Sequence, residues 1–286
     1  MQLIIISGKG GTGKTTIASS FAYIQKNSIK GDCDVDAANL HILFQGEDIE
    51  RKAFIGAKAA KIDPVKCVQC GRCADICRFN AVKNYQIDPL RCEGCGACVL
   101  ICSAKAISLG DEVTGDTVIT QLPEGILSRA EMKIGAEGSG KLVTEVRKNA
   151  LRKRQEGQWI ILDGSPGVGC AVMASITGCD AALIVVEPTQ SGLEDFMRVL
   201  SVVDYFNVKA FVCINKFDLN ERITDQIEAF CNERKIGVLG KIPFDPLVKK
   251  TINALQPVIC HKDSLMGKEI GAMWERLNYQ LKEEIK

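Results

Sequence analysis

Eight of the fourteen cysteines fall between Cys67 and Cys102 as two copies of CxxCxxCxxxC: Cys67, Cys70, Cys73 and Cys77, then Cys92, Cys95, Cys98 and Cys102. No other feature constrains the fold as strongly, because a segment this dense in thiols organises itself around what the thiols hold. Three thiolates two residues apart on a tight loop reach three corners of one cube, and the fourth ligand must come from further away. Structural zinc is the alternative for clustered cysteines. Zinc sites, however, use two separated pairs rather than a triplet followed by a single cysteine.

The two copies read CVQCGRCADICRFNAV and CEGCGACVLICSAKAI, each ending in a small apolar tail. On these residues the segment 60 to 108 resembles a two-cluster bacterial ferredoxin. The resemblance implies two 4Fe–4S clusters with crossed ligation: Cys102 completes the set Cys67, Cys70 and Cys73, and Cys77 completes the set Cys92, Cys95 and Cys98. Arg78 and Ser103 stand where that family usually has proline after the last cysteine. Seven Lys or Arg against four Asp or Glu in this segment would offset part of the roughly two negative charges on each oxidised cluster.

A chain of 286 residues with 46% hydrophobic residues has room for one large domain and a small one. A net charge of +1 gives no electrostatic case for nucleic acid or an anionic membrane as the main partner. MQLIIISGKGG lacks the basic region of a signal peptide, and no apolar run approaches a membrane span. The expectation is a cytoplasmic protein, in a reducing compartment that suits thiols meant for metal.

The run LIIIS, suited to a buried strand, leads into Gly8-Lys9-Gly10-Gly11-Thr12-Gly13-Lys14-Thr15-Thr16 and an amphipathic helix. This is a P-loop, GxxxxGK(S/T), in which backbone N–H groups at a helix N-terminus converge on phosphate oxygens. Lys14 is placed to reach the β- and γ-phosphates, and the Thr15 hydroxyl to ligate Mg²⁺. Gly135 to Lys141 also reads GxxxxGK, but Leu142 follows it. Without the magnesium hydroxyl it reads as a solvated loop opening a helix.

The additional Lys9, in KGGTGKT, resembles the deviant P-loop of the MinD/ParA family of ATPases, which includes Mrp-type iron–sulfur carriers and the nitrogenase iron protein. GDCDVDAANLHILF resembles that family's switch I, which implies Asp32 near the magnesium shell and Asp34 orienting the attacking water. ILDGSPGVG resembles its Walker B and switch II, with Asp163 on magnesium-bound water and Gly167 approaching the γ-phosphate. AALIVVEPTQSGLED and FVCINKFDLN fit two later strands, and IPFDPLV, with Pro243, the loop closing over the base. Asn215 to Asp218 reads NKxD, a guanine-selecting string in GTPases. The resemblance instead implies ATP, with Asn215 on the adenine edge and Asp218 serving the strand-to-helix turn.

Strands expected at 2–7, 158–163, 181–186, 209–214 and 236–239 alternate with helices at 14–26, 141–155, 192–206, 222–233 and 267–283. The alternation predicts an α/β fold, a mostly parallel doubly wound P-loop NTPase sheet, with a small α+β ferredoxin-like domain inserted. The expected domains are 1–59 and 109–286 for the ATPase and 60–108 for the insertion, joined by strands within 50–63 and 116–135. NSIKGD is polar for a buried strand and is expected to be short or at the sheet edge.

Cys33, Cys179, Cys213, Cys231 and Cys260 read as small hydrophobes. Cys170 lies seven residues after Asp163, where the resembling nitrogenase iron protein places a ligand of its dimer-bridging cluster. No second ligand is visible, and the plain reading is a thiol packed at the end of switch II. His41 and His261 have no metal-ligand company. Ile270, Met273, Trp274, Leu277 and Leu281 share one face of a helix whose charges cancel, which predicts core packing rather than membrane attachment.

The resulting expectation is an ATP- and Mg²⁺-dependent ATPase that couples dimerisation to low-potential electron transfer. It would form an ATP-dependent homodimer, or a heterodimer with a related ATPase, with Lys9 reaching the partner's phosphates. A redox or metallocluster protein would be its client. A cluster assembly carrier is the alternative, and a positioning regulator of the MinD kind is disfavoured by the cysteines and the neutral tail.

Overall fold

The computed structural model describes residues 1–261 and 263–283. The first compact unit comprises residues 1–51, 117–130 and 138–286, and the second residues 52–116 and 131–137. The second is wider than the 60–108 marked by the cysteine repeat, because the flanking strand stretches and a return segment pack with it.

The chain runs β1 (Gln2–Ser7), α1 (Lys14–Ile24), β2 (Ile29–Asp32), α2 (Leu40–Leu43) and β3 (Glu47–Ile62). Next come α3 (Arg72–Asp75), β4 (Val82–Lys83), β5 (Gln86–Ile87), α4 (Ala97–Ile101), β6 (Ile107–Gln121) and β7 (Ile126–Met132). The remainder is α5 (Gly140–Arg152), β8 (Ile160–Pro166), α6 (Cys170–Ile176), β9 (Ala181–Val186), α7 (Gln190–Tyr205) and β10 (Lys209–Asn215), then α8 (Glu221–Glu233), β11 (Gly237–Ile242), α9 (Leu247–Asn253) and α10 (Leu265–Glu283). The large sheet has the order β11-β10-β9-β1-β8-β2-β7-β6-β3. From β11 to β7 every pairing is parallel. Parallel strands covered on both faces need continuous apolar runs, and LIIIS and AALIVV supply them.

Alternate residues of the central strands face opposite layers. Leu3, Ile5, Leu183, Val185, Phe211 and Cys213 share one apolar cluster with Ile17 and Phe21 of α1 and with Ile270, Met273, Trp274, Leu277 and Leu281 of α10. The C-terminal helix is therefore part of the core. Phe21 and Trp274 meet in a tilted contact with centroids 4.9 Å apart, and Trp159 and Trp274 lie 5.1 Å apart. Among the described residues no helix is long and apolar enough to cross a membrane.

The strand in NSIKGD is short, as expected, but it is not at the edge. β2 lies between β8 and β7 with all four residues buried. Its polarity is accommodated locally. The Lys30 ammonium donates to the carbonyls of Ser28 at 2.9 Å and Glu124 at 2.8 Å, and burial lowers its pKa to about 8.

The cysteine unit carries a two-fold repeat in three dimensions. Gly71 and Gly96, equivalent in the two copies, cap α3 and α4 with φ of 79° and 78°. Asp63 Oδ1 accepts from Val65 N, and Asp88 Oδ1 from Leu90 N. The halves are cross-linked through backbone: Asp63 N donates to Ala106 O at 2.8 Å and Asp88 N to Ala81 O at 2.7 Å. Its small core is Ala60, Cys73, Val82 and Ile107, with Cys77, Cys92, Cys98 and Cys102 packed against them.

Trp274→Ala removes the aromatic contacts of α10 with Phe21 of α1 and with Trp159 ahead of β8 and is expected to lower stability by ~3–5 kcal/mol. Urea denaturation followed by circular dichroism measures this. A cost below about 1 kcal/mol would mean that α10 does not hold the core.

Candidate functional site

The P-loop follows β1 and ends in α1, whose cap Gly13 has φ of 95°. A side chain there is excluded twice over, since a Cβ would also lie 2.5 Å from Asn215 Nδ2. Asn215 Nδ2 donates to Thr12 O at 2.7 Å, and its Oδ1 accepts from Lys216 N at 3.0 Å. The amide thus ties the end of β10 to the P-loop through Thr12. Gly11, Gly13, Thr16, Asn215, Pro243 and Phe244 are among the residues lining an open cleft of about 350 Å³. Asp218 Oδ1 accepts from Phe244 N at 2.7 Å, so this carboxylate anchors the loop beside the cleft.

Behind the P-loop, parallel pairing of β2 with β8 sets Asp32 in register with Asp163. Thr15 Oγ1 donates to Asp163 Oδ2 at 2.5 Å. Asp32 Oδ2 accepts from Asn39 N and Leu40 N at 2.9 and 3.0 Å. The other oxygen of each carboxylate is buried without a hydrogen-bond partner. Burial and mutual repulsion push the Asp32 pKa well up. Burial raises Asp163 to about 7, against the Thr15 hydrogen bond and the charge of Lys14. Two orphaned carboxylate oxygens beside a hydroxyl form a donor set that could hold a hard divalent cation.

Lys14 is buried. Asp34 is half-buried, and its pKa is raised by burial against the pull of Lys14. Gly167 N donates to Ser7 O at 2.9 Å, joining the end of β8 to the start of the P-loop. Gly8 packs on Asp195, Gly10 is unobstructed, and Thr16 is partly exposed beside the cleft. Lys9 Nζ donates to Thr189 Oγ1 at 3.0 Å and pairs with Glu187 Oε2 at 3.6 Å, while Lys216 pairs with the other Glu187 oxygen. Neither Glu187 nor Thr189 carries a motif signal; each is found only through the fold.

A further contact lies on the loop read as a P-loop decoy. Gly138 N donates to Asp36 Oδ1 at 2.7 Å. The loop then caps α5 through Ser139, whose Oγ accepts from Leu142 N.

In the second unit the cysteines sort into two groups. Cys67, Cys70, Cys73 and Cys102 line one small cavity, and Cys77, Cys92, Cys95 and Cys98 line another. Backbone N–H groups point at three of the sulfurs: Ala81 to Cys77 at 3.4 Å, Ala106 to Cys102 at 3.3 Å and Ala60 to Cys92 at 3.4 Å. Such donors stabilise negative charge on sulfur. Cys33, Cys179, Cys213 and Cys231 are buried, and burial raises their thiol pKa values, which keeps them inert. Cys170 was expected to pack at the end of switch II. It is exposed instead, because it is the first residue of the short α6.

The chain matches the CobQ/CobB/MinD/ParA nucleotide binding domain family over residues 3–258. An uncharacterized protein of Methanocaldococcus jannaschii is 34% identical over 97% of this chain and 96% of its own. An uncharacterized ATP-binding protein of the same organism is 24% identical over 96% of this chain and 89% of its own. The septum site-determining protein MinD of Pyrococcus horikoshii, solved with Mg-ADP, superposes with a TM-score of 0.59 at 19% identity, covering 96% of this chain and 95% of that one.

An Asp163 pKa raised to about 7 means that between about pH 4 and pH 7 the folded protein holds a proton that the unfolded chain releases. Without nucleotide, this carboxyl therefore removes stability as pH rises through that window. The stability advantage of Asp163→Asn over wild type should widen from about pH 5 to about pH 7.5, read by denaturant unfolding in EDTA. An advantage independent of pH would contradict the assignment.

Proposed function

Because the chain belongs to the CobQ/CobB/MinD/ParA nucleotide-binding family, we propose that it is a MinD-type ATPase coupling ATP-dependent dimerisation to low-potential electron transfer through two 4Fe–4S clusters. The observation that carries this reading is the sorting of eight cysteines into two cavities of nearly equal size with four thiols each. The grouping follows the crossed pattern, one cysteine of each set coming from the other half of the repeat. Among the described residues no three His, Cys, Asp or Glu side chains converge on a position for one metal ion. A cubane makes a different demand: one thiolate per iron, at the corners of a cube whose centre the cluster fills.

When bound, Mg²⁺ would neutralise charge at the phosphates, and each cluster would supply a one-electron site. Thr15 would hold the cation, with Asp32 and Asp163 on its water shell. The P-loop N–H groups and Lys14 would cradle the phosphates, Asp34 would orient the attacking water, and Gly167 would admit the γ-phosphate. Lys9 would leave Glu187 and Thr189 to reach the nucleotide of a partner subunit, a second copy or a related ATPase. The engagement of Asp218 by Phe244 N supports adenine over guanine, since that carboxylate is not free to read a guanine edge. Eight thiols committed to two cages support cluster retention, and so electron transfer to a protein acceptor over cluster delivery.

Anaerobically reconstituted protein is expected to contain about eight irons and eight acid-labile sulfides per chain and to give reduced-state EPR signals. Stoichiometric zinc with no reducible centre would end this reading. Lys14→Ala should lose nucleotide binding. Lys9→Ala should bind nucleotide as a monomer yet fail to hydrolyse it, as titration calorimetry and phosphate release would report. Hydrolysis at the wild-type rate in Lys9→Ala would reject the role in trans.

A further inference from the structure

Within the cysteine unit the two cages are built alike, but their mouths are not. Val68, Gln69, Arg72 and Tyr85 are among the residues lining the first cavity, and Glu93, Gly94 and Ala97 among those lining the second. In the order of the repeat Val68 stands opposite Glu93, Gln69 opposite Gly94 and Arg72 opposite Ala97. Each mouth exposes one thiol, Cys70 and Cys95. The second loop is covered: a Cβ on Gly94 would fall 2.1 Å from the Lys58 carbonyl oxygen of β3, and one on Gly96 would lie 3.5 Å from Leu109 Cδ1. A Cβ on Gly71, the counterpart of Gly96, would meet nothing within 4 Å. The first loop is correspondingly open, with Val68 68% exposed and Gln69 and Arg72 exposed beside it.

Charge and backbone strain single out the same mouth. Among the described residues Arg72 is the only charged residue lining the first cavity, and Glu93 the only one lining the second. An oxidised cluster with four thiolates carries roughly two negative charges, which Arg72 offsets and Glu93 augments. Lys105 adds to the first mouth, since it stands between Ala104 and Ala106, both of which line that cavity. Gln69, Tyr85 and Lys105 have φ of 55°, 60° and 49°, a left-handed conformation that costs a long or bulky side chain energy and that Gly and Asn adopt readily. The repeat shows the relaxed choice, with Gly94 opposite Gln69 and Asn80 opposite Lys105, at φ of 59° and 52°. The first mouth therefore keeps an amide, an aromatic ring and an ammonium where its backbone favours none of them. Strain of this kind concentrates at binding and catalytic sites.

We propose that the mouth of the first cage, with Val68 and Tyr85 as apolar contacts and Arg72 and Lys105 as its charged rim, is the docking surface for an acidic protein that carries a one-electron cofactor. The proposal rests on the function proposed above, in that the cage behind this mouth holds a redox cluster. On docking, the reduced cluster loses one electron and the carrier's cofactor gains it, with no bond made or broken. At the second mouth an acidic carrier meets the like charges of Glu93 and the cluster. At the first, Arg72 and Lys105 remove that repulsion and steer the encounter.

The test uses full-length reconstituted protein, reduced with dithionite, desalted and mixed by stopped flow with oxidised flavodoxin as the acidic carrier or cytochrome c as a basic one. Transfer to flavodoxin should slow as salt is raised. Arg72→Glu should lower its second-order rate constant about tenfold, with iron content and EPR signals unchanged. Lys105→Asn, which installs the residue found at 80 and relieves the backbone, should lower it in the same direction. Ala97→Glu, the matching change at the second mouth, should leave it unmoved. A rate constant unmoved in Arg72→Glu, or lowered as much in Ala97→Glu, overturns the docking surface alone when iron content is intact. Transfer to flavodoxin that quickens with salt while transfer to cytochrome c slows identifies a basic partner and also overturns it. A wild type without cluster iron, or with iron that dithionite does not reduce, overturns the docking surface together with the reading it rests on, and iron analysis with EPR before mixing tells these failures apart.

Discussion

The nucleotide half of this molecule depends on one unfavourable juxtaposition: Asp32 and Asp163, brought side by side by parallel pairing of β2 with β8. Each carboxylate is buried with one oxygen satisfied and one orphaned. Two like charges in that setting raise each other's pKa values and cost stability until a cation or a proton intervenes. The sheet must therefore be strong enough to hold them, and the apolar strands β1 and β9 beside β8 contribute to that, while β2 keeps its place with a buried lysine. It also makes the site responsive. The segments that leave β2 and β8 start beside charges whose balance a bound cation would change.

The cysteine unit solves a different problem. It buries few large apolar side chains, and five of the eleven residues in its small core cluster are cysteines. Internal duplication supplies order at low cost in sequence: equivalent glycines take the left-handed conformation that starts each short helix, and equivalent aspartates close each loop. Each half completes the other's set of thiols, so neither half is a finished structure alone. A unit of this construction is expected to gain much of its folding free energy from what the thiols bind.

Much of this was legible in the sequence where the signal is local. The P-loop is a contiguous string with a strand before it and a helix after it, and the cysteine spacing is set by loop geometry over a few residues. The apolar face of α10 repeats at the helical period, and its five named residues are all buried. Contacts between residues far apart in sequence left no such trace. Asp36 and Gly138 are 102 residues apart, and Lys9 and Thr189 are 180 apart. The polar run NSIKGD looked unlike a central strand because its compensation, the Glu124 carbonyl that takes up the Lys30 ammonium, lies 94 residues away. GxxxxGK at 135–141 reads as a solvated loop opening a helix, and nothing local indicates that Gly138 and Gly140 pack closely against Val35 and Cys170.

If the repeat builds two crossed cages, pairs of cysteine substitutions distinguish that arrangement through iron and sulfide content. Cys77→Ser combined with Cys95→Ser damages one cage twice, and the protein should retain about four irons and four sulfides with a single EPR-active centre. Cys77→Ser combined with Cys70→Ser damages both cages and should leave no intact cubane. The opposite pattern, in which the first pair loses both clusters and the second keeps one, would show that each half holds its own cluster and would contradict the crossed arrangement.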